Sequence, residues 1–306
     1  MNINALTLKQ LRAFTSVARL GTLTAAAEEL SLTKGALSVA LHELEKQLGH
    51  PLFDRVKNRL VMNSYGQQLR PLADELLQRT MTIESLFGQG NLAGTLNIGA
   101  SYTVGEHLLP MLVGNFMQRH GCQRPHLIVE NTSHLCQLLE SYELDLALVE
   151  GQINSQRLMA RPWLQDHMLV VAAPGHPLAQ QTDLPINALE GENWVVREAF
   201  SGTREQFDRR LAPLLDNWQL GLEFNTNTAV ISAVASGIGL GFISDLAAAD
   251  ALCCGRIVRL DLQQSWTRQL NLVCAADKYQ TPLMSTFMEY ALQWQGLQNV
   301  TEERIS

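Results

Sequence analysis

The sequence predicts an α plus α/β chain: an N-terminal winged helix-turn-helix, a linker helix, and a two-lobed α/β domain built of Rossmann-like units. Three observations predict it. Residues 22–49 hold two short helical patterns joined by a tight turn, residues 63–89 hold one long apolar stripe, and from residue 95 short β-rich runs alternate with helical patterns. With 306 residues, 46% hydrophobic and 17% charged, the composition is that of a globular chain of two or three domains.

In the second helix of the pair, Leu37, Leu41, Leu44 and Leu48 recur with the core-facing period of a helix. The opposite stripe is Lys34, Ser38, His42 and Glu45. Thr33 is placed to cap the helix, Gly35 and Ala36 keep its first turn slim, and Gly49 followed by Pro51 ends it. A slim, polar N-terminal face suits a DNA major groove. The preceding helix, Leu23 to Leu30, carries Ala25, Ala26 and Ala27, small enough for close helix contact. An ordinary αα-hairpin would show the same leucines. Residues 51–62 separate the two readings, because they set Arg55, Lys57, Asn58 and Arg59 around a turn between two extended stretches, the layout of a basic wing. The expected DNA-facing set is Thr24, Thr33, Lys34, Gly35, Ser38, Val39 and His42 with Arg55, Lys57, Asn58 and Arg59.

Residues 63–89 read as one helix capped by Asn63 or Ser64, with apolar residues at Leu69, Leu72, Leu76, Leu77, Met81, Ile83 and Leu86. Pro71 predicts a kink or restart about two turns in. The stripe is too long for a lone surface helix and points to pairing with a second subunit. Gly88-Gln89-Gly90-Asn91 is expected to break the helix at a domain boundary.

Beyond it, TLNIGA (95–100), HLIVEN (126–131), LDLALVE (144–150), MLVVAAP (168–174), WVVRE (194–198), LEFNT (222–226), LGFISD (240–245) and LNLVCAA (270–276) are strand candidates. Their alternation with helices predicts an open parallel sheet, and the late return of LNLVCAA suits two lobes crossed twice by the chain. Lobe I is expected over about 93–165 and 269–300, lobe II over about 166–268. Ligands of such sheets bind beyond the carboxyl ends of strands. There the sequence places Ser101, Tyr102 and Thr103; Asn131, Thr132 and Ser133; Glu150; Ser201, Gly202 and Thr203; and Thr228. Hydroxyls, glycine and helix N–H groups at five helix mouths predict an anion cradle, with Ser101, Thr103 and Thr203 foremost. Capping alone accounts for any one of these residues, and convergence on one cleft is what makes a site. Arg197 and Arg204 are sources of positive charge or of salt bridges. Glu150 misfits an anion site unless an arginine or a ligand donor meets it.

Other function classes lack their residues. Ser201-Gly202-Thr203 lacks nucleophile-elbow spacing, no Gly-x-Gly-x-x-Gly opens the first α/β unit, and the eight histidines, including His107, His120, His126 and His134, show no metal-ligand spacing. No catalytic residue, metal or cofactor is expected. Five cysteines without a Cys-x-x-Cys pair suit a reducing cytoplasm; Cys253-Cys254 offer a pair that could sense oxidants, but after an alanine-rich helix they are expected to be buried thiols. Neither a signal peptide nor a membrane span is apparent. The net charge of −7 is uneven: residues 1–90 hold ten Lys/Arg and eight Asp/Glu, so the acidity lies in the remainder.

The N-terminal residues resemble the LysR-type transcriptional regulator family. The helix Leu8 to Arg19, Gly21-Thr22-Leu23-Thr24 with Ala26-Ala27, Ala36-Leu37-Ser38 with Leu41, Leu44-Glu45 and Leu48-Gly49, Leu52-Phe53-Asp54-Arg55, and Gly66 share the family's order and spacing. The chain departs from it at Lys34, where the family commonly has Gln, at Gly35, where it has Pro or Ser, and at Val39-Ala40, where it has a basic or amide pair. Recognition is therefore expected to lean on Lys34, Ser38, the wing and DNA shape. The resemblance implies a DNA-binding domain over 1–62, a linker helix over 63–90 pairing two subunits antiparallel, and a periplasmic-binding-protein-like effector domain over 91–306. It further implies a non-enzymatic cytoplasmic regulator of promoter DNA, a homodimer doubling to a homotetramer, with a small anionic effector, no cofactor, no membrane partner and RNA polymerase as a further partner. Val39-Ala40 and the run Arg197 to Glu205 look most like a branch tied to sulfur and inorganic-anion metabolism. Sulfite or a related sulfur oxyanion is the leading effector and a small carboxylate the alternative; a ligand-independent DNA-architecture protein is the rival class.

Overall fold

The computed structural model describes residues 6–57, 59–86, 94–153 and 155–294. By internal contacts the chain divides into two compact units, one of residues 1–95 with the short segments 141–143 and 277–286, the other of the remainder.

The first unit begins with helices α1 (Leu8–Leu20), α2 (Leu23–Glu29) and α3 (Lys34–Leu48). Each starts on a threonine: Thr7 and Gln10 form a reciprocal capping box, and Thr22 and Thr33 accept from Ala25 N and Ala36 N. Gly21 and Gly49, at φ 69° and 76°, end α1 and α3 in the left-handed region that glycine enters without strain. The apolar faces close on one core of Leu11, Phe14, Val17, Ala26, Leu37, Leu41 and Leu44. A hairpin of β1 (Phe53–Val56) and β2 (Arg59–Met62) comes next, turning at Lys57 with φ 54°. Asn58 and the expected break at 88–91 lie outside the described residues.

Helix α4 (Ser64–Leu86) is capped by Asn63, whose Oδ1 accepts from Tyr65 N and Gly66 N. Pro71 lies within it without ending it, so the expected restart does not occur. The turns on both sides of the proline are held by packing: Leu69, Ala73 and Leu77 join the core, and buried Arg70 donates to Thr15 O at 3.1 Å. Desolvation by burial lowers the Arg70 pKa against the pull of Asp74. Leu72, Leu76, Met81 and Ile83 remain exposed.

The second unit holds β3 (Asn97–Ala100), α5 (Tyr102–His107), α6 (Leu109–His120), β4 (His126–Val129), α7 (Thr132–Glu140), β5 (Leu146–Glu150), β6 (Leu158–Ala172), β7 (Asn193–Arg197), α8 (Gly202–Gln206), β8 (Gln219–Phe224), α9 (Asn227–Ala235), β9 (Leu240–Ser244), α10 (Asp245–Cys253), β10 (Val258–Arg259) and β11 (Trp266–Ala275). Helix α11 spans Pro282–Gln293. The sheet is mixed rather than parallel, with order β4-β3-β5-β11-β6-β9-β7-β8 and β10 on β6. Each half is parallel within itself, and the antiparallel pair β6 and β11 joins them. Strand β6 begins ten residues before the expected MLVVAAP run. Its first half, LMARPWLQDH, contains a proline and little alternation, and the strand tolerates Pro162 because the register with β11 shifts beside it.

Cys253 and Cys254 are exposed, not buried. They come after the buried face of α10, which Ala247, Ala248 and Ala251 provide. Among the described residues no helix is long and apolar enough to cross a membrane, and no group of His, Cys, Asp or Glu could hold a metal.

Gly66 sits where a Cβ would lie 2.3 Å from Leu52 O, the carbonyl that also receives Asn63 N. Gly66→Ala is expected to destabilise the first unit by about 1–3 kcal/mol through overpacking, read as a lower urea midpoint with an unchanged slope.

Candidate functional site

Two sets of polar residues stand out, one in each unit. In the first, Thr33, Lys34, Gly35, Ser38, Val39 and His42 form an exposed face of α3, while Leu37, Leu41 and Leu44 are buried on the other side. Gly35 would meet nothing within 4 Å if given a Cβ, so this end of the helix stands clear. Thr24 on α2 and Arg55, Lys57 and Arg59 on the hairpin are also exposed. Glu45 leaves the face: its carboxylate accepts Leu52 N at 2.8 Å and fastens the hairpin to α3.

In the second unit the structure brings together residues far apart in sequence. Ser101 precedes α5 but makes no capping bond; its hydroxyl donates to the buried Glu150 carboxylate at the end of β5. Thr103 Oγ1 faces Glu150 Oε1 at 3.5 Å and accepts from Arg268 Nη2 at 3.0 Å and Asn227 Nδ2 at 3.3 Å. Thr203 Oγ1 accepts from Arg268 Nη1 at 3.1 Å. Arg268 Nε donates to Asp166 Oδ2 at 2.7 Å, across the β11–β6 pairing where the two residues are register partners. Asn227 Oδ1 accepts from Arg197 Nη1 at 2.8 Å, and Arg197 is held by Glu198 and lies 4.8 Å from the Tyr102 ring centre. Desolvation raises the Tyr102 phenol pKa, with Glu130 adding to it.

The other expected residues take different parts. Thr132 Oγ1 donates to Glu150 O at 3.0 Å, Ser201 caps α8 through Arg204 N, and Asn131 Oδ1 accepts His134 N at the head of α7. Gly202 packs so closely on Glu150 that a Cβ would lie 2.4 Å from Glu150 Cγ. Thr132, Ser133, Ser201 and Gly202 line a recess of about 330 Å³ with Cys136 and Phe200. Burial raises the Cys136 thiol pKa to about 11, with Glu140 adding to it, so this thiol stays protonated and inert. Thr228 is exposed, and Asn227 one residue earlier joins the cluster instead. Arg204 binds Asp208, Glu223 and the Arg197 carbonyl outside it.

The cradle is therefore not simply cationic. Arg268 meets two buried carboxylates, Glu150 at 3.7 Å and Asp166 at 2.7 Å. This arginine answers the misfit of Glu150, and neither it nor Asp166 stood among the expected site residues. A signal was present: Arg268 alternates with Trp266, Leu270 and Leu272, and Asp166 with Met168 and Val170, all on buried positions of their strands. Charges on the inward parity of a strand mark a buried pair.

Residues 8–67 match the helix-turn-helix model described as bacterial regulatory helix-turn-helix protein, lysR family, and residues 89–296 match the LysR substrate binding domain. The chain belongs to the LysR family of transcriptional regulators. It is 35% identical over 252 residues to the uncharacterized HTH-type transcriptional regulator YeiE of Escherichia coli strain K12, covering 82% of this chain and 85% of the relative. Full-length OxyR from Pseudomonas aeruginosa has the same fold, with a TM-score of 0.75 at 22% identity over 94% of this chain and 93% of that one. The regulatory domain of Synechocystis CcmR, solved in complex with 2-PG, matches with a TM-score of 0.59 at 26% identity, over 65% of this chain and 96% of that one. LysR regulators are DNA-binding, oligomeric and non-enzymatic, and they respond to small-molecule effectors rather than cofactors.

Removing the Arg268 guanidinium leaves Asp166 and Glu150 buried without their cation. Arg268→Met is expected to cost about 3–5 kcal/mol in chemical denaturation, the range for breaking a buried ion pair from one side. The double variant Arg268→Met with Asp166→Leu should recover much of that loss.

Proposed function

We propose that this regulator holds promoter DNA as a dimer of dimers through α3 and the β1–β2 wing, and that a small oxyanion or carboxylate bearing its own hydrogen-bond donor binds between the halves of the α/β unit. The observation that carries the reading is Arg268 on a crossing strand, bonded both to Thr103 at the head of α5 and to Thr203 in α8. A ligand that competes for these bonds changes the closure of the two halves, and it shifts the assembly only as far as it prefers one state. In this reading the exposed Leu72 and Leu76 of α4, with Met81 and Ile83, supply the subunit pairing.

The buried carboxylates restrict the ligand. Glu150 is a buried acceptor of the cluster, and Asp166 Oδ1, also buried, has no hydrogen-bond partner among the described residues. A fully ionised anion would face both without a proton to offer. Sulfite in its protonated form meets the requirement and remains the leading effector; a hydroxylated carboxylate meets it too. Sulfate does not. RNA polymerase is a further partner of such a regulator at promoters.

Two measurements test this. A thermal-shift panel on the full-length protein should show stabilisation by sulfite or a hydroxylated carboxylate and none by sulfate; ligand at a hundredfold its Kd stabilises by about 2.7 kcal/mol. A flat response to every ligand would favour the ligand-independent DNA-architecture class. On DNA, Lys34→Ala and Ser38→Ala should weaken specific binding more than non-specific binding, while Arg55→Ala should weaken both and lower the salt slope by about 1. Unchanged specific affinity in the Lys34 and Ser38 variants would remove α3 from the groove.

A further inference from the structure

Two short segments of the chain pack in the first unit although their neighbours in sequence belong to the second. Residues 141–143 come directly after α7 and lead into β5, and residues 277–286 come directly after β11. Together they clasp α4. Lys278, only 7% exposed, puts Nζ 3.0 Å from the Asp74 carboxylate. Tyr142, also buried, serves two cations at once: Lys278 Nζ lies 5.6 Å and the Arg70 guanidinium 5.8 Å from its ring centre. The Tyr142 hydroxyl donates to Asp277 Oδ1, so the two segments are joined to each other as well as to the helix. Further along α4, Arg79 lies 4.5 Å from the Tyr279 ring centre.

Arg70 and Asp74 are one turn apart on α4, on the flank of the core-facing row Leu69, Ala73 and Leu77, while Leu72, Leu76 and Ile83 run exposed along another side. One helix thus offers separate faces to the winged core, to the clasp and to solvent. The clasp also holds a strained residue. Tyr142 has φ 60°, a left-handed conformation that a bulky side chain enters at a cost and that glycine or asparagine usually takes after a helix. A tyrosine there points to its side chain, not to the turn, as what the position requires. Buried ion pairs add little net stability over apolar packing, and their best-attested use is to fix one register of packed helices.

We propose that Lys278 and Tyr142 are positioning residues for DNA recognition: they fix α4 in one rotation and direction beneath α1 to α3, and so set which spacing of two half-sites a pair of winged units can read. The inference rests on the reading that α4 pairs the subunits. Each winged unit reads its own half-site through α3 and the hairpin, which the clasp does not touch. Only the separation and phase of two such readers depend on how α4 is held.

The test uses the full-length protein and three duplexes: one that the wild-type protein enriches from a random-sequence pool, the same with about five base pairs, half a helical turn, inserted between its half-sites, and one carrying a single half-site. The wild-type protein should bind the lengthened duplex at least about tenfold more weakly, since a whole half-site then faces away and even one misread base pair costs about that much. Lys278→Met should cut this preference to about threefold or less while leaving single-half-site affinity within about twofold, the split expected of residues that act through coupling. Lys278→Arg, which keeps the charge, should retain the preference. Tyr142→Asn suits the left-handed turn but removes the ring, so it should lower the preference as Lys278→Met does, whereas a role in the turn alone would leave it intact. Arg79→Ala, at an exposed position, serves where the buried variants do not fold and should lower the preference by about twofold, the worth of an exposed cation–π contact. An unchanged preference in these variants of a protein that sediments as a dimer or tetramer would overturn this inference alone, as would paired-site and single-site affinities falling by the same factor. A wild-type protein that sediments as a monomer, or that binds both spacings equally, would overturn it together with the subunit-pairing reading.

Discussion

The pairing of Arg268 with Asp166 is the constraint on which the α/β unit depends. The two residues face each other on β11 and β6, the antiparallel strands that join the parallel halves of the sheet, and both are almost fully buried. A guanidinium in that position must find acceptors, because its charge cannot be withdrawn by deprotonation. It finds them in Asp166, Thr103 and Thr203. The hydroxyls that open α5 and enter α8 are thus tied to one rigid donor, and Glu150 is held by Ser101, by Thr103 and by the same positive charge. Breaking one of these bonds without a replacement leaves a buried polar group unpaired, which makes the cluster sensitive to a ligand that offers substitutes.

The DNA-binding unit obeys a different logic. Its polar face needs no buried charge; it needs small residues and clean helix ends. Thr7, Thr22 and Thr33 cap the three helices, Gly21 and Gly49 release the chain after α1 and α3, and Gly66 lets α4 run against the Leu52 carbonyl. The hairpin is drawn onto α3 by the Glu45 bond to Leu52 N, so the basic tip and the exposed α3 face are positioned together. Leu72, Leu76, Met81 and Ile83 of α4 stay exposed in a single copy, an apolar stripe of the kind the proposed subunit pairing would cover.

Local signals carried the first unit and the strand-helix alternation of the second. Helix boundaries at α1 to α3 were legible because caps, glycines and leucine spacing all act within a few residues. Ser101, Thr103 and Thr203 were legible because each sits at the mouth of a helix after a strand, a place that topology reserves for ligands. Ser201 and Asn131 occupy equivalent sequence positions yet serve mainly as caps, a distinction that rests on which neighbour the side chain meets. Thr228 points outward while Asn227 points in, since a shift of one residue on a helix turns the side chain by a large angle.

The sequence by itself determined the winged helix-turn-helix, the long linker helix, the α/β alternation and the hydroxyl-bearing loops, because periodicity, capping and turn chemistry are local. Tertiary structure alone decided that Pro71 stays inside α4, that the sheet is mixed, that β6 extends through LMARPWLQDH, and that Arg268, Asp166, Asn227 and Glu150 meet. Asp166 and Arg268 are 102 residues apart, and Thr103 and Arg268 are 165 apart. Contacts at such separations depend on strand pairing and on the direction in which the sheet is crossed, neither of which leaves a mark in a short stretch of sequence.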